Sequence, residues 1–201
     1  MDRRSLVIIL VVGIELILRL LYRPLSLPVD PLLYTAAARL IQTGLILFLA
    51  FDLCGVRARS LPREVLVGIG VSLLFGAVVV LVDLASRLVL QGGVLKLLLS
   101  RQHVESPALF FLVGCVLGPF AEELFFRGLF YSWLRERLPV LGTIVLSALF
   151  FASLHAGGFP VQLIGGLLFA SLFEWRNSIW APFVVHAAAN TGIWILPFIY
   201  P

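Results

Sequence analysis

The sequence predicts an all-α protein, a polytopic transmembrane bundle of about seven helical segments. Three observations predict this class: 61% of the 201 residues are hydrophobic, only 13% are charged, and the mean hydropathy is +1.07. Soluble domains are typically about 45 to 50% apolar and about 25% charged. The composition therefore excludes a soluble globular domain, and the length suits a single integral-membrane domain over residues 1–201.

Each crossing of a bilayer needs about 20 mostly apolar residues, because the hydrocarbon core is about 30 Å thick. Seven apolar runs meet or approach that length, and the segments between them are rich in proline, glycine or arginine, which end or connect helices. The predicted segments are Ser5–Tyr22, Leu32–Leu53, Glu64–Leu90, Pro107–Leu138, Pro139–His155, Val161–Phe173 and Ser178–Phe198.

Two segments between these runs have a composition of their own. In Gln91–Ser106, Gly92 and Gly93 break the helix, and the apolar run that follows is too short to span a membrane. We therefore predict a loop with an interfacial helical turn there. Glu174–Asn177 is predicted to be a tight polar turn. The sixth segment, before that turn, is short, and the sequence leaves open whether it crosses the membrane completely.

Arginine placement predicts the topology. Cytoplasmic loops carry an excess of Lys and Arg, and here the amino terminus and the connections after the second, fourth and sixth segments are the arginine-rich ones. We therefore expect a multi-pass protein of the plasma (inner) membrane with a cytoplasmic amino terminus, in contact with the lipid bilayer. The basic residues form no stripe interleaved with aromatic side chains, so no nucleic-acid partner is expected.

Two of the early segments contain an acid and an arginine four residues apart, a spacing that lets the two side chains pair on one helix face. They are Glu15 with Arg19, and Asp83 with Arg87. Because a charge at bilayer depth is costly unless it is paired, we interpret both as neutralised structural pairs.

The stretch Pro119–Gly128 is the most unusual part of the sequence. It places Glu122, Glu123 and Arg127 within six residues, inside a run that is otherwise apolar. Each charge at bilayer depth costs at least about 2.5 to 3.5 kcal/mol on insertion scales. An ionisable cluster in such a place is by default a functional-site hypothesis.

The three charges divide into two roles. Glu123 and Arg127 are four residues apart, with the acid first, which is the favourable order for a helical ion pair. They are predicted to be the structural support of the site. Glu122 is rotated by about 100° from Glu123 at 3.6 residues per turn and has no partner within its own helix. Glu122 is therefore the residue expected to do chemistry.

Three other polar side chains are predicted to reach the depth of Glu122. With a rise of about 1.5 Å per residue, Glu122 lies roughly 20 Å from Arg135 at the inner end of its helix. On the same scale His155 lies roughly 24 Å from the start of the fifth segment, and His186 and Asn190 lie roughly 13 and 19 Å from the turn before the seventh. These four residues therefore converge near the middle of the membrane.

The motifs resemble those of the CAAX-protease and bacteriocin-processing (CPBP) family, intramembrane endopeptidases that include the type II CAAX prenyl proteases. The resemblance rests on Glu122-Glu123-x-x-x-Arg127, Phe151-x-x-x-His155 and His186-x-x-x-Asn190, in this order on successive hydrophobic segments. Each motif alone is weak, because Phe-x-x-x-His is common, but the ordered set is specific. It covers the carboxyl-terminal half, residues 107–198, and the first three segments match only in being hydrophobic.

The resemblance implies a role for each of these residues. Glu122 would activate the attacking water, His155 would help to hold it, and His186 and Asn190 would stabilise the oxyanion. The implied function is hydrolysis of a peptide bond in a membrane-associated peptide or protein. We expect no cofactor, and the alternative is zinc or another divalent metal held by His155, His186 and Glu122.

Two other functions are compatible with the same sequence. One is a non-proteolytic membrane scaffold or bacteriocin-immunity-type protein that uses the cavity for binding, since the family includes immunity proteins. The other is a small transporter with a proton-coupled carboxylate, which we rank last because no inverted repeat is present. The sequence does not specify a substrate, and in particular no motif in it indicates recognition of a prenyl group.

Overall fold

The computed structural model describes residues 2–22, 30–55, 60–90, 93, 106–155 and 159–199. Over these ranges the chain contains seven helices and no β-strand, so the predicted all-α class is confirmed. The predicted loop Gln91–Ser106 lies outside the described residues except for Gly93 and Ser106. The helices are α1 Arg3–Tyr22, α2 Pro31–Ala50, α3 Leu61–Leu90, α4 Pro107–Arg135, α5 Val140–Ser153, α6 Phe159–Arg176 and α7 Trp180–Ile199.

Three of the described helices are long and apolar enough to cross a membrane, judged by length and composition. They are α2 with its short 3₁₀ extension, over Pro31–Leu53, then α3 over Leu61–Val89 and α4 over Pro107–Arg135. In α3 large apolar side chains such as Leu73 and Leu88 are 70% and 79% exposed. Such a surface is compatible with hydrocarbon and not with water, as expected of a membrane protein.

The predicted turn Glu174–Asn177 is wrong, because α6 continues to Arg176 and the chain turns at Asn177, which has a φ of 48°. The polar residues at this helix end are paired across the bundle. Glu174 accepts hydrogen bonds from Tyr131 at 2.8 Å and from Arg135 at 3.2 Å. These partners satisfy the charges within the last helical turn, so no loop is needed to expose them.

Helix α4 lies at the centre of the bundle, where it contacts α1, α2, α5, α6 and α7, whereas α3 packs mainly on α7. Two parts of α4 are π-helical, Phe111–Leu117 and Leu124–Tyr131. In this geometry an N–H bonds to the carbonyl five residues earlier, and such segments are frequent at functional sites. The stretch that carries Glu122 and Glu123 lies between them.

Ion pairs between helix ends show that many of the arginines lie at one end of the bundle. They join the starts of α1 and α3 to the ends of α2, α4 and α6, so successive helices alternate in direction. The amino terminus and the end of α7 therefore lie at opposite ends. The pairs are Arg3 with Asp52, Arg4 with Glu136, Arg137 with Asp2, Arg135 with Glu174 and Arg176 with Glu64.

Helix α3 offers a matched test of its packing against α7. A Cβ on Gly68 would lie 2.6 Å from Cβ of Val184, whereas a Cβ on Gly70 would meet nothing within 4 Å. We expect Gly68→Ala to destabilise the fold by about 1 to 3 kcal/mol through overpacking. Gly70→Ala should stabilise it by about 0.5 to 1 kcal/mol, because alanine is the better helix former.

Thermal unfolding of both variants in detergent, followed by tryptophan fluorescence, checks this prediction. Equal shifts in the two variants would show that α3 and α7 do not approach each other at Gly68.

Candidate active site

Three helices bring titratable side chains together around the carboxylate of Glu122. One oxygen of that carboxylate, Oε2, lies 3.7 Å from Nε2 of His155 and 3.7 Å from Nε2 of His186. Glu122 belongs to α4, His155 follows the end of α5, and His186 belongs to α7. The side chain of Glu122 is 15% exposed and that of His186 is 4% exposed. The sequence-predicted convergence of these three residues is therefore present in the structure.

Both histidines are held at Nδ1 by an acceptor. The Nδ1 atom of His155 lies 2.7 Å from the carbonyl oxygen of Phe151, and Nδ1 of His186 lies 2.8 Å from Oε1 of Glu123. Since a carbonyl and a carboxylate only accept, we assign the proton to Nδ1 in both rings. In both residues Nε2 is consequently the atom directed at Glu122.

Aromatic rings fix the planes of the two imidazoles. The ring of Phe151 is fully buried, and its centroid lies 4.5 Å from that of His155 and 5.7 Å from that of His186. On α6, Phe169 stacks on His186 with centroids 4.6 Å apart and an interplanar angle of 19°. The phenylalanine of the Phe-x-x-x-His motif thus supports both histidines, and Phe169 is a supporting residue that the motifs did not reveal.

Glu123 and Arg127 form the predicted pair, and both side chains are fully buried. Nε of Arg127 lies 3.2 Å from Oε2 of Glu123. Arg127 also donates to the carbonyl of Gly166 at 3.3 Å, and its guanidinium lies 5.0 Å from the centroid of Phe151. Because the other oxygen of Glu123 contacts His186, the pair links the interior of α4 to a histidine of the site.

Asn190 lies one turn after His186 on α7, and its side-chain amide donates to the carbonyl of Gly114 on α4 at 2.9 Å. Gly114 lies five residues before Pro119, which has no N–H to offer in a π-helical turn. Pro119 thus leaves the Gly114 carbonyl available as an acceptor, and the amide of Asn190 donates to it. The structure therefore places Asn190 at a contact between α4 and α7, one helical turn after His186.

The amino-terminal helices contribute charges to the site that the motifs did not indicate. On α2, the guanidinium of Arg39 lies 3.7 Å from Oε1 of Glu122 and donates to Glu15 of α1 at 3.3 Å. Glu122 thus lacks a partner only within α4. The predicted partner of Glu15, Arg19, has a side chain outside the described part of the structure, whereas the predicted pair Asp83–Arg87 is present at 2.9 Å.

A cavity of about 330 Å³ opens beside Glu122, between α1, α2, α4 and the end of α5. Its polar wall is formed by Glu122, His155, Arg39, Gln42 and Glu15. The remaining wall is apolar and is formed by aliphatic and aromatic side chains, among them Val11, Leu16, Phe125, Phe126, Phe150 and Leu154.

Glu122, His155 and His186 are the donors that a metal ion would use. Within the described ranges, no group of three or more His, Cys, Asp or Glu side chains is arranged to hold a metal ion. The guanidinium of Arg39, 3.7 Å from Glu122, would in addition oppose a second cation at that carboxylate. The positive charge of Arg39 therefore disfavours zinc or another divalent metal at Glu122.

Comparisons with known proteins concern the half of the chain that carries the motifs. Residues 104–192 match the family model described as type II CAAX prenyl endopeptidase Rce1-like. A protein of Bacillus subtilis (strain 168) named "Putative membrane peptidase YdiL" is 27% identical over 95 residues, 46% of this chain and 39% of that protein. The chain thus matches about two fifths of that relative's length. No solved structure matches the chain.

Proposed function

Since residues 104–192 match the Rce1-like endopeptidases and confirm the resemblance to the CPBP family, we propose that the protein is an intramembrane endopeptidase. It would hydrolyse a peptide bond of a membrane-associated peptide or protein, with water activated by Glu122. One observation carries the proposal: Oε2 of Glu122 faces Nε2 of two histidines, at 3.7 Å from each.

The spacing suits a water molecule. A distance of 3.7 Å is longer than a direct hydrogen bond. It is compatible with a water molecule that contacts both Glu122 and a histidine. In the proposed reaction Glu122 accepts a proton from this water while Nε2 of His155 orients it. The water oxygen bonds to the substrate's carbonyl carbon, the C–N bond then breaks, and the proton passes to the departing amine.

His186 and Asn190 are proposed to stabilise the oxyanion of the tetrahedral intermediate. Nε2 of His186 donates when it is protonated, and the Glu123 carboxylate at Nδ1 compensates the resulting positive charge. Asn190 has a second amide N–H besides the one that Gly114 accepts. No step is assigned to a metal, since the guanidinium beside Glu122 opposes a second cation at that carboxylate.

The experiment that tests the proposal looks for new peptide termini. The protein is reconstituted in liposomes and incubated with membrane proteins extracted from its expression host, and new termini are identified by mass spectrometry. We expect Glu122→Ala and His155→Ala to remove cleavage while both variants still insert. Glu136 directly follows α4 and its side chain is half exposed. Glu136→Gln is therefore the matched carboxylate control and should cleave like the wild type.

Unchanged cleavage in both site variants would overturn the proposal. A second outcome is that the protein produces no new termini and that Glu122→Ala still confers the phenotype of the wild-type gene. The proposed endopeptidase would then be replaced by the binding function of a scaffold or immunity-type protein.

The substrate is proposed only by class. Apart from its charged and polar residues, the cavity wall is apolar, which suits a peptide whose side chains near the scissile bond are apolar. The best-cleaved site found among the membrane proteins, made as a quenched fluorescent peptide, becomes the probe for kinetics.

We further propose that the protein lies in the plasma membrane with its arginine-rich end, which includes the amino terminus, in the cytoplasm. Cysteine labelling on intact cells checks this orientation, because the native Cys54 and Cys115 are both buried. We expect a membrane-impermeant maleimide to label Ser106→Cys at the opposite end of α4. Glu136→Cys should react only after the membranes are opened. The reverse pattern would place the amino terminus outside.

A further inference from the structure

Three polar side chains of α1 and α2 form a connected group beside the proposed base, and they lie outside residues 104–192. Arg39 donates to Oε1 of Gln42 at 2.7 Å and to Oε2 of Glu15 at 3.3 Å. Gln42 in turn donates to the same oxygen of Glu15 at 2.7 Å. Every contact of this triangle joins a donor to an acceptor, so the group is hydrogen-bonded within itself.

The guanidinium of Arg39 connects this group to Glu122. Its NH1 atom faces Gln42 and Glu15, and its NH2 atom lies 3.7 Å from Oε1 of Glu122. Because a guanidinium is planar and rigid, fixing NH1 also fixes the direction of NH2. Gln42 is only 4% exposed and the side chain of Arg39 is 20% exposed, so both are held by the bundle and not by solvent.

The two oxygens of Glu122 therefore have different neighbours. Oε1 faces Arg39 of α2, and Oε2 faces the Nε2 atoms of His155 and His186. A carboxylate can rotate about its last torsion, which is broad. A cation on one side restricts that rotation and leaves the other oxygen directed at the histidines.

We infer that Arg39, held by Gln42 and Glu15, is a positioning residue that orients Glu122 so that Oε2 accepts the proton of the attacking water. The inference rests on the proposed endopeptidase function. It makes α1 and α2 part of the catalytic assembly, although the family match does not include them. Arg39 acts through Glu122 and takes no proton itself.

The test uses the protein in liposomes and the quenched fluorescent peptide defined above. We expect Arg39→Gln to lower kcat roughly 100-fold, the size of effect expected when a reacting group is displaced by about 1 Å, with little change in KM. Arg39→Lys keeps the charge but not the fork, so it should retain an intermediate kcat. Gln42→Leu removes the acceptor of Arg39 NH1 and keeps the side-chain volume, so it should give a smaller loss in kcat. This second variant keeps the test valid if Arg39→Gln does not fold.

The decisive comparison is made in the Glu122→Gln background. If Arg39 acts through Glu122, adding Arg39→Gln to Glu122→Gln should leave the residual rate unchanged, because coupled residues are not additive. A further loss of rate there, or an effect of Arg39→Gln on KM alone, would show that Arg39 contacts the substrate directly and would overturn the inference.

Arg176→Gln is the matched control for a purely structural link. Arg176 also pairs with a glutamate of another helix, Glu64, and its side chain is 15% exposed, close to that of Arg39. It should lower the melting temperature and keep kcat. If Arg39→Gln behaves in the same way while the wild type cleaves and Glu122→Ala does not, only the inference fails. If Glu122→Ala cleaves as well as the wild type, the proposed function itself fails.

Discussion

Glu122→Gln is expected to lower kcat by roughly 1,000-fold, within the range that a general base contributes. The substitution keeps the size of the side chain and its acceptor oxygen, but an amide cannot take a proton from water. On a scale of 1.36 kcal/mol per tenfold, the loss corresponds to about 4 kcal/mol of transition-state stabilisation. KM should stay close to the wild-type value, because the cavity wall keeps its shape.

Single-turnover and steady-state kinetics on the quenched fluorescent peptide measure this effect. An equal fall in kcat and in kcat/KM identifies an interaction made only in the transition state. A rise in KM with kcat unchanged would instead assign Glu122 to substrate binding and contradict its role as the base. The companion variant His155→Gln should lose less rate, because a residue that orients water is not the proton acceptor.

The sequence predicted the architecture of the site well, because charged residues in an apolar helix are conspicuous. The pairing of Glu123 with Arg127 followed from their spacing alone, and a rise of 1.5 Å per residue placed Glu122, His155 and His186 at one depth. The structure contains both features. Their catalytic roles stay predictions until the variants are measured.

The surroundings of Glu122 could not be read in the same way, because motifs report spacing along one helix and not contacts between helices. Arg39 is the example. It lies 11 residues before the end of α2 at Ala50, which is roughly 17 Å along the helix, close to the depth of Glu122 in α4. The distance of Arg39 from the end of its helix is therefore the sequence signal that places it near Glu122.

Asn190 illustrates a second reason. Its spacing from His186 placed it on the correct face of α7, but the partner of its amide depends on which carbonyl of α4 lacks an N–H. That carbonyl is on Gly114, because α4 is π-helical before Pro119. A π-helical turn leaves no clear pattern in the sequence, so the prediction of Asn190 as an oxyanion donor did not include this contact.

Arg127→Met is the second variant for which a large effect is expected, here on stability. Arg127 and Glu123 are both fully buried, and removing one partner of a buried pair costs about 3 to 5 kcal/mol because the other charge is left uncompensated. We expect a clear fall in melting temperature in detergent. Activity should fall as well, since Glu123 would no longer be fixed where it holds Nδ1 of His186.

A second substitution separates the stranded charge from the lost contact. In Glu123→Gln/Arg127→Met the buried negative charge is gone, and the glutamine oxygen can still accept from His186. The double variant should therefore be more stable than Arg127→Met alone, because replacing a buried pair by neutral groups is often close to neutral. The surface variant Arg135→Gln, whose side chain is 42% exposed, should change stability by no more than about 1 kcal/mol. If Arg127→Met and Arg135→Gln melt alike, the buried pair does not stabilise α4, and the alignment of His186 must depend on the stacking of Phe169 instead.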